Sequence, residues 1–483
     1  MPRPHSRSHR QPARRTGPAP APASRAGRAW AAGRLALAPA HATSAQLCAL
    51  YPGGFPRGTG QAGIYLGHDR IAGGGFVFDL IESYRAGLIQ GPNMIVSGAG
   101  AHGKSAIMKS YAYRAGLLAA ARGDTSRFTA VIDPKGEWTP LARALGWTTL
   151  DLRPDGPIRI NPLDPAPGMI PRRASAARPE NGELDDLDRR VGVVAALLTV
   201  AIGRGELSIS EHRLVRAVVR RVCARTTTPT LLDVRALLAQ PDHTLAADLE
   251  TTPAELAERR RPLLDAAVTL VEHDLRGIAD GPTSPGLTWT VSPGLAVDLS
   301  ALLTNRRALT LVLTATAGWL QSLMYARRGG QTIMVIDEGW IALSELATVR
   351  FLQDQWRLGR QWGSGNILIT HAIADLRSQV GDGQAQAHIA QGLLNTTSAR
   401  VFLHQNAEHL RELVVDMGLG RTEARLLATM PPFTALWHLG DHATIVEHHL
   451  TREEWIVADT DSAMNATAAR GSVPAARAPS TLG

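Results

Sequence analysis

One octapeptide constrains this chain more than any other feature. Gly98-Ala99-Gly100-Ala101-His102-Gly103-Lys104-Ser105 fits G-x-x-x-x-G-K-[ST] at every position. The apolar run Asn93 to Ser97 before it reads as a strand, and Lys104 to Arg122 after it as a helix. That context lets the loop cradle phosphate: the glycines admit backbone amides close to an anion, and the helix N-terminus adds partial positive charge. Gly98 through Ala106 are therefore the candidate ATP-binding residues, with Lys104 reaching the β- and γ-phosphates and Ser105 holding Mg²⁺. The competing reading is a chance Gly-rich turn. One of only three lysines in a chain with 48 arginines falls at this spot, which weighs against chance.

A second signal is Thr332-Ile333-Met334-Val335-Ile336-Asp337-Glu338, an apolar strand ending in two carboxylates. Alone it is weak, since acidic residues also cap helices. Paired with the phosphate loop, Asp337 is the candidate Mg²⁺ residue and Glu338 the candidate general base that polarises water. That pairing favours nucleotide hydrolysis over phosphoryl transfer to another substrate. A third strand, Ile367 to Thr370, ends at His371. In P-loop ATPases of the additional-strand class such a strand lies between the loop strand and the Asp-Glu strand. His371 is then a candidate γ-phosphate sensor, against the alternative of a surface histidine beside a helix-capping threonine. Arg357, Arg360 and Arg400 are candidates for an arginine donated in trans to a neighbouring subunit's site, although any one arginine among 48 has an ordinary explanation. Asp133-Pro134-Lys135-Gly136-Glu137-Trp138 follows the strand Phe128 to Ile132. Lys135 either lines the nucleotide pocket from that strand's C-terminal end or is an exposed lysine in a turn.

Apolar runs alternate with helical patterns from Gly63 to Leu163, and again after Ala308. Strands are expected at Thr148 to Leu152, Leu309 to Leu313, Ala399 to Leu403 and Ala435 to Leu439. Between Leu184 and Ile278 only helices are expected, with capping boxes at Ser208/Glu211 and Thr252/Glu255. The fold class is α/β: a parallel-sheet P-loop core interrupted by an all-helical insertion. The expected organisation is a disordered basic leader over 1–45, a first core part over 46–163 and a linker over 164–183. A helical insertion over 184–290, a second core part over 291–460 and a disordered tail over 461–483 complete it.

Composition excludes several classes. At 44% hydrophobic and 19% charged residues the chain is not wholly disordered. Cys48 and Cys223 alone make neither a disulfide scaffold nor a four-cysteine zinc site, and fit a reducing, cytoplasmic setting. No apolar run reaches the length of a membrane span. The net charge of +8 belongs to the leader: the first 68 residues hold nine arginines and no acid, so the body is close to neutral. The leader is either a solvated tail or a contact for nucleic acid or an anionic membrane surface.

Taken together, GAGAHGKS, VIDPKGEW, RINPLD, MVIDEGW and GRQWGSGNILITH resemble the conjugation and type IV secretion ATPases, the VirB-type, TraC- or TrbE-like motors of the HerA/FtsK superfamily. Asp337 to Trp340 matches their Asp-Glu-[Ala/Gly]-Trp strand end, and the resemblance covers about residues 60 to 460. It implies a RecA-like core and a homo-hexameric cytoplasmic motor at the inner face of the cell membrane. ATP, Mg²⁺, membrane secretion-channel components and DNA are the partners it implies. Two departures stand out: His371 occupies a position where the family commonly has Gln, and the basic leader stands where full-length members carry a channel-docking domain. The function it implies is an ATP-hydrolysing motor that energises conjugative DNA transfer or type IV-like secretion. The alternatives are a hexameric DNA translocase or coupling protein of HerA, FtsK or TraG type, and an ATP-binding assembly factor with little turnover.

Overall fold

The computed structural model describes residues 62–164, 181–241, 244–285, 287, 292–326, 331–343, 345–371, 392 and 394–459. The expected leader and tail, and 165–180 of the expected linker, lie outside the described residues.

Eleven strands form one sheet in the order β2-β1-β11-β10-β9-β3-β8-β7-β4-β6-β5. In the chain these are β1 (Ile64–Asp69), β2 (Gly74–Phe78), β3 (Asn93–Ser97), β4 (Arg127–Asp133), β5 (Thr148–Asp151), β6 (Gly294–Asp298), β7 (Gln331–Ile336), β8 (Ser364–Thr370), β9 (Ala399–Phe402), β10 (Thr434–Leu439) and β11 (His442–His448). From β9 to β5 every pairing is parallel, and from β10 outward every pairing is antiparallel. A parallel sheet needs helices on both faces, so its strands read as continuous apolar runs. Alternate residues of the same strand accordingly enter different cores. Ile95, Ile336, Leu368 and Phe402 face one cluster, and Met94, Val96, Val335 and Ile369 the other.

The helices that matter for the site are α1 (Lys104–Arg122), α2 (Asn181–Ile202), α3 (Ile209–Arg225), α4 (Leu231–Ala239), α5 (Pro253–Thr269), α6 (Arg306–Ala326), α7 (Leu346–Trp362) and α8 (Arg452–Ala458). Helices α2 to α5 fall between β5 and β6 and pack in the first cluster. Both expected capping boxes form: the Ser208 and Thr252 hydroxyls accept from the amides of Glu211 and Glu255. Helix α1 packs in the second cluster, where α8 lies against it.

The sequence expectation fails at Leu309 to Leu313, which is not a strand but part of α6. Leu309, Leu311, Val312, Leu313, Ala315, Ala317, Trp319 and Leu320 are all buried. A helix buried on all sides loses its periodicity and cannot be told from a strand by pattern. The threonines within the run return their hydroxyls to the helix: Thr310 Oγ1 donates to Arg306 O at 3.1 Å and Thr314 Oγ1 to Thr310 O at 2.8 Å. The true neighbouring strand is the short β6.

Candidate functional site

The sheet's parallel strands deliver their C-terminal ends to one edge. β3, the loop strand, lies between β9 and β8, and β8 separates it from β7, the Asp-Glu strand. The strand that ends at His371 is therefore the inserted strand.

The loop's two motif glycines are required by space. A Cβ on Gly98 would lie 2.7 Å from the Leu403 Cβ, and one on Gly103, whose φ is +94°, would lie 2.6 Å from the Phe433 ring. Gly100 has open space around it and no such requirement. Beyond the loop, Lys104 opens α1 with its side chain turned back. Its Nζ donates to Ala99 O at 3.0 Å and to His371 Nδ1 at 3.2 Å. Burial pulls the Lys104 pKa down to about 8, against the raising effect of Glu338 and Asp337. With Nδ1 accepting from Lys104, the proton of His371 resides on Nε2, which donates to Glu338 at 3.1 to 3.2 Å.

Asp337 is buried and fully engaged. Its Oδ1 accepts from Ser105 Oγ at 3.4 Å and from the Glu338 amide at 2.9 Å, and its Oδ2 accepts from Trp138 Nε1 at 2.8 Å. Glu338 holds a left-handed backbone, φ +50°, a strain of about 1–3 kcal/mol for a non-glycine residue. Its carboxylate is ion-paired to Lys135, accepts from Trp340 Nε1 at 2.6 Å and meets His371. Burial alone would raise its pKa, but the hydrogen bonds from His371 and Lys135 outweigh burial and hold it near about 2.

The β4 loop supplies the rest. Asp133 Oδ2 accepts from the Trp138 amide at 2.7 Å and Oδ1 from the Lys135 amide at 3.2 Å, which folds the loop toward β7. Burial pushes Asp133 up to about 7, helped by Asp337 and Asp298 and resisted by the Trp138 hydrogen bond. Lys135 is exposed over 42% of its side chain and is ion-paired to Glu338 at the end of the Asp-Glu strand.

Sequence reasoning missed two residues here. Trp138 carries the indole that fixes Asp337, and Lys109, one helical turn beyond Ser105, lies fully buried with its Nζ 3.7 Å from Glu137 and 5.9 Å from the Trp138 ring centre. The signal for Lys109 was available: the three lysines of the chain, 104, 109 and 135, all converge on this one site.

Among the described residues, neither Arg357 nor Arg400 contacts the phosphate loop of its own chain. Arg400 sits in β9 in register with Ile95, and its Nε donates back toward the strand's start, to Thr397 O at 3.3 Å. Arg357 is exposed near the far end of α7, 3.9 Å from Asp354. Arg360 is in the same helix, and its side chain lies outside the described residues.

Among the described residues no cluster of three or more His, Cys, Asp or Glu is placed to hold a metal. Ser105 and Asp337 offer two converging oxygens instead, the sparse protein set that suits Mg²⁺, which keeps several waters. Among the described residues no helix is long and apolar enough to cross a membrane.

No protein-family model and no curated protein matches this chain. Solved structures do. VirB4 of Thermoanaerobacter pseudethanolicus superposes with a TM-score of 0.62 at 19% identity, covering 81% of this chain and 98% of that one. The plasmid coupling protein TrwB superposes with a TM-score of 0.50 in complex with the ATP analogue ADPNP, at 16% identity over 74% of this chain and 86% of that one. TrwB in complex with ADP and Mg²⁺ also gives 0.50, at 15% identity over 80% and 90%. The class that sheet order and loop define is the RecA-like P-loop NTPase fold, and these likenesses share it over most of both chains.

Proposed function

We propose that this chain binds Mg·ATP at Gly98 to Ala106, hydrolyses it, and works as a motor that energises conjugative DNA transfer or type IV-like secretion. The observation that carries the reading is the joining of Ser105 to Asp337 and of Lys104 through His371 to Glu338. The residues fit the nucleotide: Gly98 and Gly103 stand where a side chain would clash, and among the described residues the buried Lys104 ammonium beside the loop hydrogen-bonds to a carbonyl and an imidazole. Ser105 and Asp337 would hold Mg²⁺, which when bound offsets charge on the phosphate oxygens.

Glu338 would accept the proton of the attacking water. A carboxylate held near about 2 is a weak base, so base action requires the Lys135 and His371 clamp to loosen. The γ-phosphate offers both groups a competing anion, and its arrival would free Glu338 only when the substrate is in place. A neighbouring subunit of a homo-hexamer would supply an arginine, with Arg357, Arg360 and Arg400 as the candidates.

The test separates binding from chemistry. Lys104→Ala should lose nucleotide affinity with its fold intact. Glu338→Gln should keep affinity and lose about 10²- to 10⁴-fold in turnover, the usual general-base contribution. Equal ATP binding by Lys104→Ala and wild type refutes the loop assignment. Turnover of Glu338→Gln within about twofold of wild type places the base elsewhere. Negligible single-turnover hydrolysis by wild type would favour the assembly factor.

The TrwB likeness supports a second reading, a DNA translocase or coupling protein. It calls for ATP turnover stimulated by DNA and suppressed steeply by salt. Secretion-channel components at the inner face of the cell membrane are the partners of the first reading, and DNA that of the second.

A further inference from the structure

Phe433 is strained and yet tightly held. It precedes β10 with φ +59°, a left-handed conformation that aromatic residues rarely adopt. Its amide donates to His102 O of the phosphate loop at 3.1 Å. Its carbonyl accepts from the His448 amide at 2.7 Å and from His448 Nδ1 at 3.1 Å. His448 is buried, which lowers its pKa to about 4, and its Nε2 accepts from Trp437 Nε1 at 3.2 Å, so it is neutral with its proton on Nδ1. Three hydrogen bonds thus hold a strained backbone that lays a phenyl ring against Gly103.

A second ring is brought to the same place from elsewhere in the chain. Trp455, on α8, lies 4.9 Å from Phe433 between ring centres at 72°, and 43% of it is exposed. Its position is set from α1. Arg114 is ion-paired to the buried Glu454, with Nη2 donating to Oε2 at 2.7 Å, and Ser110 Oγ donates to Oε1 at 3.1 Å. The helix that begins at the phosphate loop therefore aims an indole at the ring that covers the loop. The indole keeps exposed π-surface beside the loop, and strain of this kind persists where the surroundings over-determine it.

We propose that Phe433 and Trp455 form the nucleobase platform of the nucleotide site, with one ring under the base and the other against its edge. The proposal rests on the phosphate-loop reading above and adds to it where the non-phosphate end of the substrate lies. Aromatic stacking accepts any base, because each has a π-face. The platform therefore contributes affinity for nucleosides over bare phosphates.

The test compares two probes by calorimetry in Mg²⁺, a non-hydrolysable ATP analogue and inorganic tripolyphosphate, on the full chain. In Trp455→Ala the ratio of ATP-analogue affinity to tripolyphosphate affinity should fall by about 5- to 150-fold, the range of base–aromatic stacking. Trp455→Phe should restore most of it. Phe433→Leu, which keeps bulk against Gly103, should lower the same ratio and provides an independent check should either variant fold poorly. A pair that only packs would lower the melting temperature of the variants and leave the ratio at its wild-type value, and that result overturns the platform alone. If wild type binds neither probe, the phosphate-loop reading falls and the platform falls with it.

Discussion

Replacing Lys109 by methionine should stabilise the fold. The Lys109 side chain is fully buried, and its Nζ makes no hydrogen bond among the described residues. Burial is the dominant influence on it and lowers its pKa, with Glu137 the main opposing charge. That Glu137 oxygen is 3.7 Å away, beyond hydrogen-bond range, on a side chain 24% exposed. With an effective dielectric constant of about 20, unit charges at this 3.7 Å separation attract by about 4 kcal/mol, and water on the exposed partner screens part of that. Removing an ammonium from water costs several kcal/mol, so the pair does not recover its own desolvation. Methionine matches the stem's shape and stacks on the Trp138 indole through sulfur. Replacing a whole buried ion pair by apolar residues gains about 1–4 kcal/mol; here Glu137 stays, but it is partly exposed and returns to water when its partner goes, which keeps the gain in the lower part of that range. An unfolding entropy of about 2 cal/mol/K per residue makes the whole range about 1–5 °C for a unit of roughly 400 residues. Thermal melts and urea midpoints read the change directly. A fall in melting temperature would refute the reasoning, because it would mean that the ammonium contributes more than its burial costs.

The other predictions concern the carboxylates around it. Trp138→Phe removes the indole N–H from Asp337 Oδ2 and should weaken Mg²⁺-dependent nucleotide binding by about 10- to 100-fold, as loss of a partner that orients a metal ligand does. Binding measured without Mg²⁺ should change far less, and equal losses in both conditions would remove Trp138 from the metal argument. Asp133 has its pKa raised from 3.8 to about 7, so the folded state holds its proton where the unfolded chain has released it. The stability this adds is fully present below about pH 4 and is lost as pH rises through about 7. Asp133→Asn should flatten that part of the stability-versus-pH curve while lowering stability overall, since one of the two amides it accepts from loses its acceptor. An unchanged slope between pH 4 and pH 7 would show that the carboxyl titrates normally.

Much of this molecule was legible in the chain. The phosphate loop, its strand and its helix lie within 30 residues of each other, so local geometry dictates them, and Asn93–Ser97 and Lys104–Arg122 form as the pattern requires. The capping boxes at Ser208 and Thr252 are equally local. The strand ending in Asp337-Glu338 was visible because a strand buried on both faces is an apolar run with a polar stop. What failed was α6, for the same reason in reverse: a helix with apolar residues all round has no face to betray its period. Only the tertiary structure decided which distant groups meet. Nothing in the sequence separation of Lys104 and His371, Trp138 and Asp337, or Phe433 and Gly103 specifies contact. Each pair is joined by the order of strands in the sheet, which brings the ends of β3, β4, β7 and β8 and the start of antiparallel β10 to one edge. Sequence thus determined the chemistry available at the site. The burial that pulls Lys104 down and the partners that hold Glu338 near about 2 arise only when the fold removes water and brings opposite charges within hydrogen-bond reach.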